Sequence, residues 1–347
     1  MLAAKLYGAN DLRIVSCDKP QIGEDEMLMK TSAAAICGTD LRMIGNGYKG
    51  VDADHPLTLG HEISGVIEQV GARVQGYQPG MKVAVAPNIG CGICDACVNG
   101  DTHLCATYRA FGINMDGGFA EYVRIPADAI VQGNVMNLDP DMPMDVAAIF
   151  EPMSCVVNGQ EQADVRLNDT VLIVGAGPIG LMHALLAYAR GASRVFLRDL
   201  SPERMDQGVA IDHRIVPIVE ENLLDAVMRL TNGRGVDVCI TACPSGAAQA
   251  ESLELMAMNG RVLFFGGLPA GKDRVTLQTN LIHYRQLKIS GSTRSNLRQY
   301  RSVARMVAAG NLNLDSLITH RFPLDRFAEA VAFARSAQGL KTIIQFG

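Results

Sequence analysis

The sequence has no excess of positive charge: 31 Lys and Arg residues stand against 36 Asp and Glu residues, a formal net charge of −5 at pH 7. Such a chain lacks the electrostatic footprint for binding nucleic acid or an anionic membrane surface. Charged residues make up only 19% and hydrophobic residues 48%, a balance that excludes intrinsic disorder. At 347 residues, we expect about two domains.

Targeting and membrane signals are also lacking. The first residues, Met1–Lys5, do not lead from a basic region into an apolar one, so we expect a cytoplasmic protein with reduced thiols. The uncharged stretch 170–189 has the length of a membrane span of about 20 residues, but three glycines, a proline and His183 interrupt it. A strand, a turn and a helix explain this stretch better.

The chain contains two kinds of pattern. Short apolar runs cut by glycine and proline over residues 1–150 predict a mainly β region. From residue 170 onward, predicted strands (170–174, 194–197, 236–241, 261–266) alternate with predicted helices (179–190, 223–230, 248–258). This alternation predicts an α/β fold with a doubly wound parallel sheet. A further strand at 287–291, a helix at 298–309 and a helix–strand pair at 324–334 and 342–346 follow.

A glycine turn lies between the first predicted strand and helix of the second region. Gly175, Gly177 and Gly180 form the pattern G-x-G-x-x-G, in which the glycines permit a tight turn, close approach of a pyrophosphate and close helix packing. The helix N-terminus then faces the phosphates. Asp199, 19 residues beyond Gly180, is placed to bind a ribose 2′-hydroxyl, although it could be an ordinary turn residue. The constellation predicts a dinucleotide site.

Asp199 also favours NAD over NADP, because a carboxylate there would repel a 2′-phosphate. Arg198 and Arg204 keep NADP open, since either could contact such a phosphate. Arg198 should point to the opposite face of its strand, whereas Arg204 could lie over the adenine. We also take Ile179 and Gly266 as candidate coenzyme contacts.

Four cysteines, Cys91, Cys94, Cys97 and Cys105, have the spacing C-x2-C-x2-C-x7-C. Closely spaced thiolates suit a closed tetrahedral zinc site that stabilises a lobe of the first region. An iron–sulfur cluster and a redox dithiol are alternatives. A nucleic-acid-binding zinc module is excluded, because residues 91–105 contain no Lys or Arg.

A second potential metal site is spread over the same half of the chain. Cys37, His61, Glu62 and Glu151 supply a thiolate, an imidazole and carboxylates. This mixture suits a zinc that keeps one exchangeable position. The pattern therefore predicts a catalytic zinc, with the ligating carboxylate left open.

Together these motifs resemble the zinc-dependent medium-chain dehydrogenase/reductase superfamily over essentially the whole chain, nearest to its sorbitol (L-iditol) dehydrogenase branch. Beside the glycine turn and the four cysteines, the matching segments are ICGTD at 36–40, LGHE at 59–62, GGFAEY at 117–122, EP at 151–152 and ITHRF at 318–322. The resemblance implies a mainly β, GroES-like catalytic domain of residues 1–153 and 287–347, with a structural zinc lobe at 90–106. A Rossmann NAD-binding domain of residues 154–286 would interrupt it.

The resemblance also implies a catalytic zinc held by Cys37, His61 and a carboxylate, in addition to the structural zinc. Glu62 would ligate directly and Glu151 would hold the zinc-bound water, or the two would exchange roles. Thr39 resembles the family hydroxyl that accepts the substrate proton. Relatives are usually dimers or tetramers, so we expect a homo-oligomer.

The implied reaction is oxidation of a secondary alcohol of a polyol or polyol phosphate to the ketone. The pattern departs from the family at Arg42, which replaces a frequent relay histidine and cannot act as a base. Met43 stands where sorbitol dehydrogenases place a substrate-contacting tyrosine. Arg294 matches a substrate and coenzyme contact, but Ser295 replaces the aromatic residue beside it. Proton exit would then use Glu151 or Glu62.

Several alternatives remain at this point. Arg42, together with Lys49, Arg285 and Arg294, could receive a phosphate group of the substrate. The substrate could instead be an amino alcohol such as threonine. A zinc-free NADPH-dependent quinone or enone reductase is a second enzyme class, and a nucleotide-sensing regulator is the non-enzyme alternative.

Overall fold

The computed structural model describes all 347 residues, which divide into two compact units. Unit 1 comprises Met1–Ser154, Ser295–Gly310 and Leu314–Gly347, and unit 2 comprises Cys155–Arg294 and Asn311–Asn313. The second boundary lies after Arg294, later than the expected boundary after residue 286. The reason is that residues 288–291 form a strand of the unit 2 sheet.

The first part of unit 1 is mainly β, as predicted. Its strands are β1 (Leu2–Gly8), β2 (Asp11–Ser16), β3 (Met27–Ala35), β4 (Leu57–Thr58), β5 (Glu62–Val70), β6 (Lys82–Val85), β7 (Asn88–Ile89), β8 (Arg109–Ala110), β9 (Tyr122–Ile125) and β10 (Val135–Asn137). Its helices are α1 (Gly38–Asn46), α2 (Asp95–Val98), α3 (Ala127–Gln132) and α4 (Met144–Ala148).

Unit 2 begins within α5 (Phe150–Gln162), between Ser154 and Cys155. Strands and helices then alternate through β11 (Thr170–Val174), α6 (Pro178–Ala189), β12 (Arg194–Arg198), α7 (Pro202–Ile211), β13 (Val216–Pro217), α8 (Leu223–Leu230), β14 (Val236–Thr241), α9 (Gly246–Glu251), β15 (Met256–Phe264), α10 (Thr279–Arg285) and β16 (Lys288–Gly291). The chain returns to unit 1 for α11 (Leu297–Ala308), β17 (Ile318–Pro323), α12 (Phe327–Ser336) and β18 (Lys341–Gln345).

In unit 1, β3 is the strand on which the main sheet is built. It pairs antiparallel with β5, β9 and β18, in a sheet whose order is β10-β6-β5-β3-β18-β17. A second, smaller sheet of this unit has the strand order β2-β1-β4. The core includes the rings of Phe119 and Phe327, which meet edge to face with centroids 4.7 Å apart. The C-terminal strand β18 is therefore an integral part of the sheet.

Unit 2 has the predicted doubly wound α/β fold. Its six strands are all parallel, in the order β13-β12-β11-β14-β15-β16. The strand order reverses between β11 and β14, and ligands of such sheets bind at the carboxyl ends of the strands at this reversal. Residues 170–189 form β11, a turn and α6, and no helix of the chain combines the length and apolar character needed to cross a membrane.

One predicted helix, 248–258, is wrong in its second half. α9 ends at Glu251, and β15 begins at Met256. Leu253 and Leu255 of the intervening turn and Met256 of the strand are buried in the core of unit 2. Asn259 adopts a positive φ of 61° inside β15, a conformation that a helix does not contain.

The glycine turn is held together by very close backbone contacts. Gly175 has a φ of +113°, which disfavours any residue with a side chain. A Cβ atom at Gly180 would lie 1.8 Å from the carbonyl oxygen of Gly175. The first turn of α6 therefore sits directly against the end of β11, the packing that the third glycine was expected to allow.

We predict that Gly180→Ala destabilises unit 2 by about 2–3 kcal/mol, because backbone must move to admit the methyl group. Gly267→Ala is the matched control, since a Cβ there meets nothing within 4 Å. Urea or thermal unfolding of both variants measures the effect. Equal stability of the two variants would contradict this account of the turn.

Candidate functional site

Cys37 lies in unit 1 at the start of a short helix. It is the N-cap residue of α1, directly after the end of β3. Its backbone N–H donates to Asp40 Oδ2 at 2.8 Å, a contact that satisfies one of the free amides at a helix start. Asp40 is completely buried. The sequence ICGTD thus makes a rigid strand-to-helix turn that presents the Cys37 thiol.

His61 and Glu62 approach Cys37 from the neighbouring strand. The pairing of β3 with β5 sets Ala35 opposite Glu62, which brings the start of β5 beside the end of β3. His61 and Glu62 are both buried. Donor atoms of Cys37, His61 and Glu62 all lie within 4.8 Å of one another. We refer to these three residues as the donor trio.

Asp40 also supports the imidazole of the donor trio. Its Oδ1 lies 3.5 Å from His61 Nδ1, close enough for an ion pair, although neither atom has a hydrogen-bond partner. A carboxylate beside a metal-ligating histidine commonly orients the imidazole. Burial lowers the pKa of His61, but the charges of Asp40 and Cys37 outweigh it and hold the pKa well above its usual value. The local field is thus strongly negative and favours a cation.

Lys341 provides one positive charge against this field. Its Nζ forms a buried ion pair with Glu62 Oε2 and donates to the carbonyl oxygen of Ile36 at 3.1 Å. Burial lowers the pKa of Lys341, but the charges of Glu62 and Cys37 more than compensate and raise it. Glu62 Oε1 is buried and has no hydrogen-bond partner. One carboxylate oxygen is paired, and the other lacks the partner that a metal ion would supply.

Glu151 is buried on α5 but lies outside the donor trio. Burial raises the pKa of Tyr300, which is almost fully buried on α11, and the charges of Glu151 and Glu62 raise it further. The hydroxyl of Ser154 on α5 lies 2.6 Å from that of Ser295, which stands just before α11. Ser295, expected as a departure from an aromatic residue, therefore anchors the start of α11 to the helix that carries Glu151.

Thr39, Arg42 and Met43 lie on α1, and Lys49 follows this helix. Arg42 Nη2 donates a hydrogen bond to Thr39 Oγ1 at 2.9 Å, which links the two side chains. Met43 is buried in the hydrophobic core of unit 1. Lys49 lines a cavity of about 450 Å³ together with Tyr48 and His55. Met43 is thus a packing residue in this structure.

The four cysteines of the predicted zinc lobe converge around α2 and a short 3₁₀ turn at Thr102–Leu104. The sulfur atoms of Cys91, Cys94, Cys97 and Cys105 all lie within 4.8 Å of one another. All nine cysteines of the chain are free thiols. Four soft donors at this spacing fit a tetrahedral zinc.

The acidity of these thiols also fits a metal site. A hydrogen bond from Thr107 and the backbone N–H of Cys91 lower the pKa of Cys105 to about 6. Burial and the neighbouring thiols raise the pKa of Cys97 to about 11. Adjacent thiolates repel one another, so all four ionise together only when a cation balances them.

The glycine turn of unit 2 is joined to Asp199 by hydrogen bonds. Asp199 follows β12, and its Oδ2 accepts from the Ala176 N–H at 2.6 Å, while Oδ1 accepts from the Ser201 N–H at 2.9 Å. The carboxylate is therefore fixed beside the turn at the carboxyl end of the sheet. This is the position from which an acid can reach a ribose hydroxyl.

The remaining candidate coenzyme contacts are distributed around unit 2. Ile179 lies in the first turn of α6, and Gly266 follows β15, with its N–H donating to Thr241 O at 2.8 Å. The Arg204 guanidinium lies against Gly177, where a Cβ atom would meet it at 3.4 Å. Arg294 has a φ of +52° just before the end of unit 2.

Two other cations are bonded to backbone carbonyls. Arg198 Nη1 donates to Ile218 O at 3.1 Å, on the β13 side of β12. Arg285 Nη1 donates to the carbonyl oxygens of Glu254 and Met256, both at 2.9 Å. These contacts explain both side chains as structural.

Lys341 and the role of Asp40 were not predicted. Asp40 was recognised only as part of the ICGTD motif, although an acid three residues after an N-cap is a known signal for closing a helix start. Lys341 gave no signal, because it lies 279 residues from Glu62 and begins an otherwise apolar strand. Only the pairing of β18 with β3 reveals it.

Residues 23–135 match the family profile of the alcohol dehydrogenase GroES-like domain, and residues 178–309 match that of zinc-binding dehydrogenases. The chain is 32% identical to sorbitol dehydrogenase of Bombyx mori, with 99% of this chain and 97% of that protein covered. It is 34% identical to L-threonine 3-dehydrogenase of Pyrococcus horikoshii, with 97% and 95% covered.

Solved structures show the same likeness. Galactitol-1-phosphate dehydrogenase from Escherichia coli is 28% identical, with a TM-score of 0.89 and 100% of each chain covered. The similarity therefore extends over both units and over the segments that carry the donor trio, the four cysteines and the glycine turn.

Proposed function

The chain belongs to the zinc-dependent medium-chain dehydrogenase/reductase superfamily, and we propose that it oxidises a secondary alcohol of a polyol to the ketone, reversibly and with NAD. The observation that carries the proposal is the donor trio, in which Cys37, His61 and Glu62 come within 4.8 Å of one another. A thiolate, an imidazole and a carboxylate suit a zinc ion that keeps an exchangeable position.

The metal and the coenzyme supply the chemistry that side chains cannot. Bound zinc acts as a Lewis acid that lowers the pKa of an alcohol, and the nicotinamide accepts the hydride. Cys37, His61 and Glu62 would hold the zinc, and Asp40, whose Oδ1 lies 3.5 Å from His61 Nδ1, would orient the imidazole. Glu151 is the second carboxylate and lies outside the donor trio. It would take part in proton transfer through a water molecule.

Thr39 is the residue that we propose to accept the substrate proton. Its Oγ1 already accepts a hydrogen bond from Arg42, so the hydroxyl hydrogen is free to be donated elsewhere. Arg42 stays protonated and cannot take a proton itself. The proton would then pass to water and the buried Glu151, and Arg42 would orient the hydroxyl.

The substrate that we propose is an uncharged polyol. Of the four cations considered for a phosphate group, two already have hydrogen-bond acceptors within the protein: Arg42 donates to Thr39, and Arg285 donates to two backbone carbonyls. Lys49 and Arg294 are the two for which a phosphate remains the competing role. The relatives include both a sorbitol dehydrogenase and threonine dehydrogenases, and a solved structure at 28% identity is a polyol phosphate dehydrogenase. A polyol phosphate and L-threonine are therefore the competing substrates.

For the cofactors, we propose two zinc ions and one NAD per chain. Cys91, Cys94, Cys97 and Cys105 would hold the second zinc in a closed structural site. The Asp199 carboxylate, fixed by the Ala176 and Ser201 amides, would bind the ribose and repel a 2′-phosphate.

The reaction is tested with the zinc-loaded protein, NAD and three substrates: a neutral polyol, its monophosphate and L-threonine. We expect the highest kcat/KM for the polyol, and a loss of at least about 10³-fold in Cys37→Ala with unchanged NAD affinity. Cys17→Ala is the control. Retained turnover in Cys37→Ala contradicts the catalytic zinc, and preference for the monophosphate or threonine contradicts the polyol.

The structural zinc is tested by metal analysis of Cys97→Ser. We expect zinc to fall from about two to about one per chain and the Tm to fall by several degrees, because metal binding contributes to the stability of the lobe. Cys17→Ser, a thiol outside the cluster, should change neither quantity. An unchanged zinc content in Cys97→Ser would refute the assignment.

The coenzyme preference is tested with Asp199→Asn, which keeps an oxygen acceptor for the turn but removes the charge. We expect the ratio of kcat/KM for NADP to that for NAD to rise by about 10- to 100-fold, equivalent to about 1.4–2.8 kcal/mol. Asp206→Asn on α7 is the matched control. An unaltered ratio would show that Asp199 does not select the coenzyme.

A further inference from the structure

The backbone of Arg294 adopts an unusual conformation for a residue with a side chain, with a φ of +52°. We propose that Asn158 is a positioning residue that holds Arg294 in this left-handed conformation and so directs its guanidinium to the phosphates of NAD. The inference rests on the proposed function, because it takes NAD as the coenzyme. It goes beyond that function by giving a role to Asn158, a residue that none of the motifs includes.

Arg294 differs from the other residues that share its backbone conformation. Eight residues other than glycine have a φ between +50° and +66°. Five of them are asparagine or aspartate, whose short polar side chains tolerate the left-handed region best. Gln286 and Ala337 are the C-cap residues of α10 and α12, and a left-handed residue commonly ends a helix. Arg294 belongs to neither group.

The conformation of Arg294 is strained, and a glycine would remove the strain. A residue with a Cβ is disfavoured in the left-handed region, whereas glycine adopts it readily. Strain of this kind persists where the surrounding structure holds it in place, and it is typical of functional sites. The side chain of Arg294, rather than its backbone, therefore accounts for an arginine at this position.

Asn158 supplies the contacts that hold the strained backbone. It lies on α5 and is almost completely buried. Its Nδ2 donates to the carbonyl oxygens of Thr293 at 3.2 Å and of Arg294 at 2.9 Å. These carbonyls belong to the peptide groups before and after the Arg294 Cα, so the two bonds restrain both its φ and its ψ. Asn158 Oδ1 accepts from Gln162 Nε2 at 3.4 Å, which orients the amide with its donors toward the carbonyls.

The fold of unit 2 brings both residues to the edge of the sheet that carries the glycine turn. Arg294 follows β16, whose last residue Gly291 pairs with Phe264 at the end of β15. α5 reaches the same edge, because a Cβ at Gly159 would lie only 2.8 Å from the ring of Phe265. Dinucleotides bind at the carboxyl ends of such strands. A guanidinium there suits the pyrophosphate of NAD, since its planar N–H donors match phosphate oxygens.

The main test measures the Kd of NAD for the zinc-loaded protein by calorimetry, without substrate. We expect Asn158→Asp to raise the Kd about tenfold, because an oxygen of similar size would face two carbonyl oxygens and could not donate to them. Asn158→Ala, which introduces no charge, should raise it about fivefold. The KM for NAD should rise in parallel, with kcat within about twofold of wild type. An unchanged Kd in the folded variants would overturn the inference.

A second test determines whether Asn158 acts through Arg294. Arg294→Gly removes the guanidinium and relieves the strain, so we expect the Kd of NAD to rise about tenfold while the Tm is unchanged or higher. Adding Asn158→Ala to Arg294→Gly should raise the Kd by no more than about twofold, because the side chain that Asn158 positions is already absent. Fully additive losses would contradict action through Arg294.

Two matched controls separate positioning from packing. Asn134 is a buried asparagine of unit 1 whose Nδ2 also donates to two backbone carbonyls, of Ala86 and Asn88, both at 2.8 Å. Asn134→Ala should lower the Tm as Asn158→Ala does, but leave the Kd of NAD unchanged. Gln286→Gly, at a φ of +53°, should raise the Tm without altering the Kd. An equal loss of NAD affinity in Asn134→Ala would assign the effect to stability alone.

The outcomes distinguish this inference from the proposed function. If wild type binds no NAD, the proposed coenzyme is wrong, and the inference falls with it. If wild type binds NAD and Arg294→Gly weakens the binding, but neither Asn158 variant does, only the inference fails. It also fails if Arg294→Gly leaves NAD binding unchanged and raises only the KM of a polyol monophosphate, since Arg294 would then be a substrate contact.

Discussion

The constraint on which unit 1 depends is the concentration of negative charge at a buried point between two strands. Cys37, Asp40 and Glu62 come together there because β3 pairs with β5, and isolated buried charges of this kind are unstable. The chain provides one ammonium, from Lys341 on β18, and leaves a carboxylate oxygen unpartnered. The same strand pairings that build the sheet therefore also build the charge balance of the site.

In unit 2, the structure of the glycine turn depends on steric fit rather than on charge. α6 can follow β11 closely only because Gly180 has no side chain, and the turn is then closed by the Asp199 carboxylate. The two backbone hydrogen bonds of Asp199 fix the acid at the strand ends, so its orientation needs no ligand. The residues that follow β11 and β12 thus determine how closely α6 approaches β11 and where the Asp199 carboxylate lies.

Residue spacing and apolar runs predicted the elements that are formed by a short, continuous segment of the chain. β11, α6 and the four-cysteine lobe each lie within a short segment, so spacing and apolar runs were sufficient. The end of α9 was misjudged because Leu253, Leu255 and Met256 are apolar in either conformation, and only packing against the sheet decides between them. Lys341 could not be predicted, because its partner is Glu62, brought near by a pairing between the first and last parts of the chain. Residues 288–291 join the unit 2 sheet for a related reason, since β16 is short and is defined by its pairing with β15.

The contact between Arg42 and Thr39 links the proton pathway to the choice of substrate. A guanidinium that donates to Thr39 Oγ1 orients that hydroxyl so that its own hydrogen points toward another acceptor. The same contact uses one of the five N–H donors of the Arg42 guanidinium. An arginine where a relay base is common therefore does not by itself imply a phosphate substrate. It is equally explained as the group that holds a threonine hydroxyl in one orientation, and Met43, buried beside it in the core, offers no polar contact to a charged substrate.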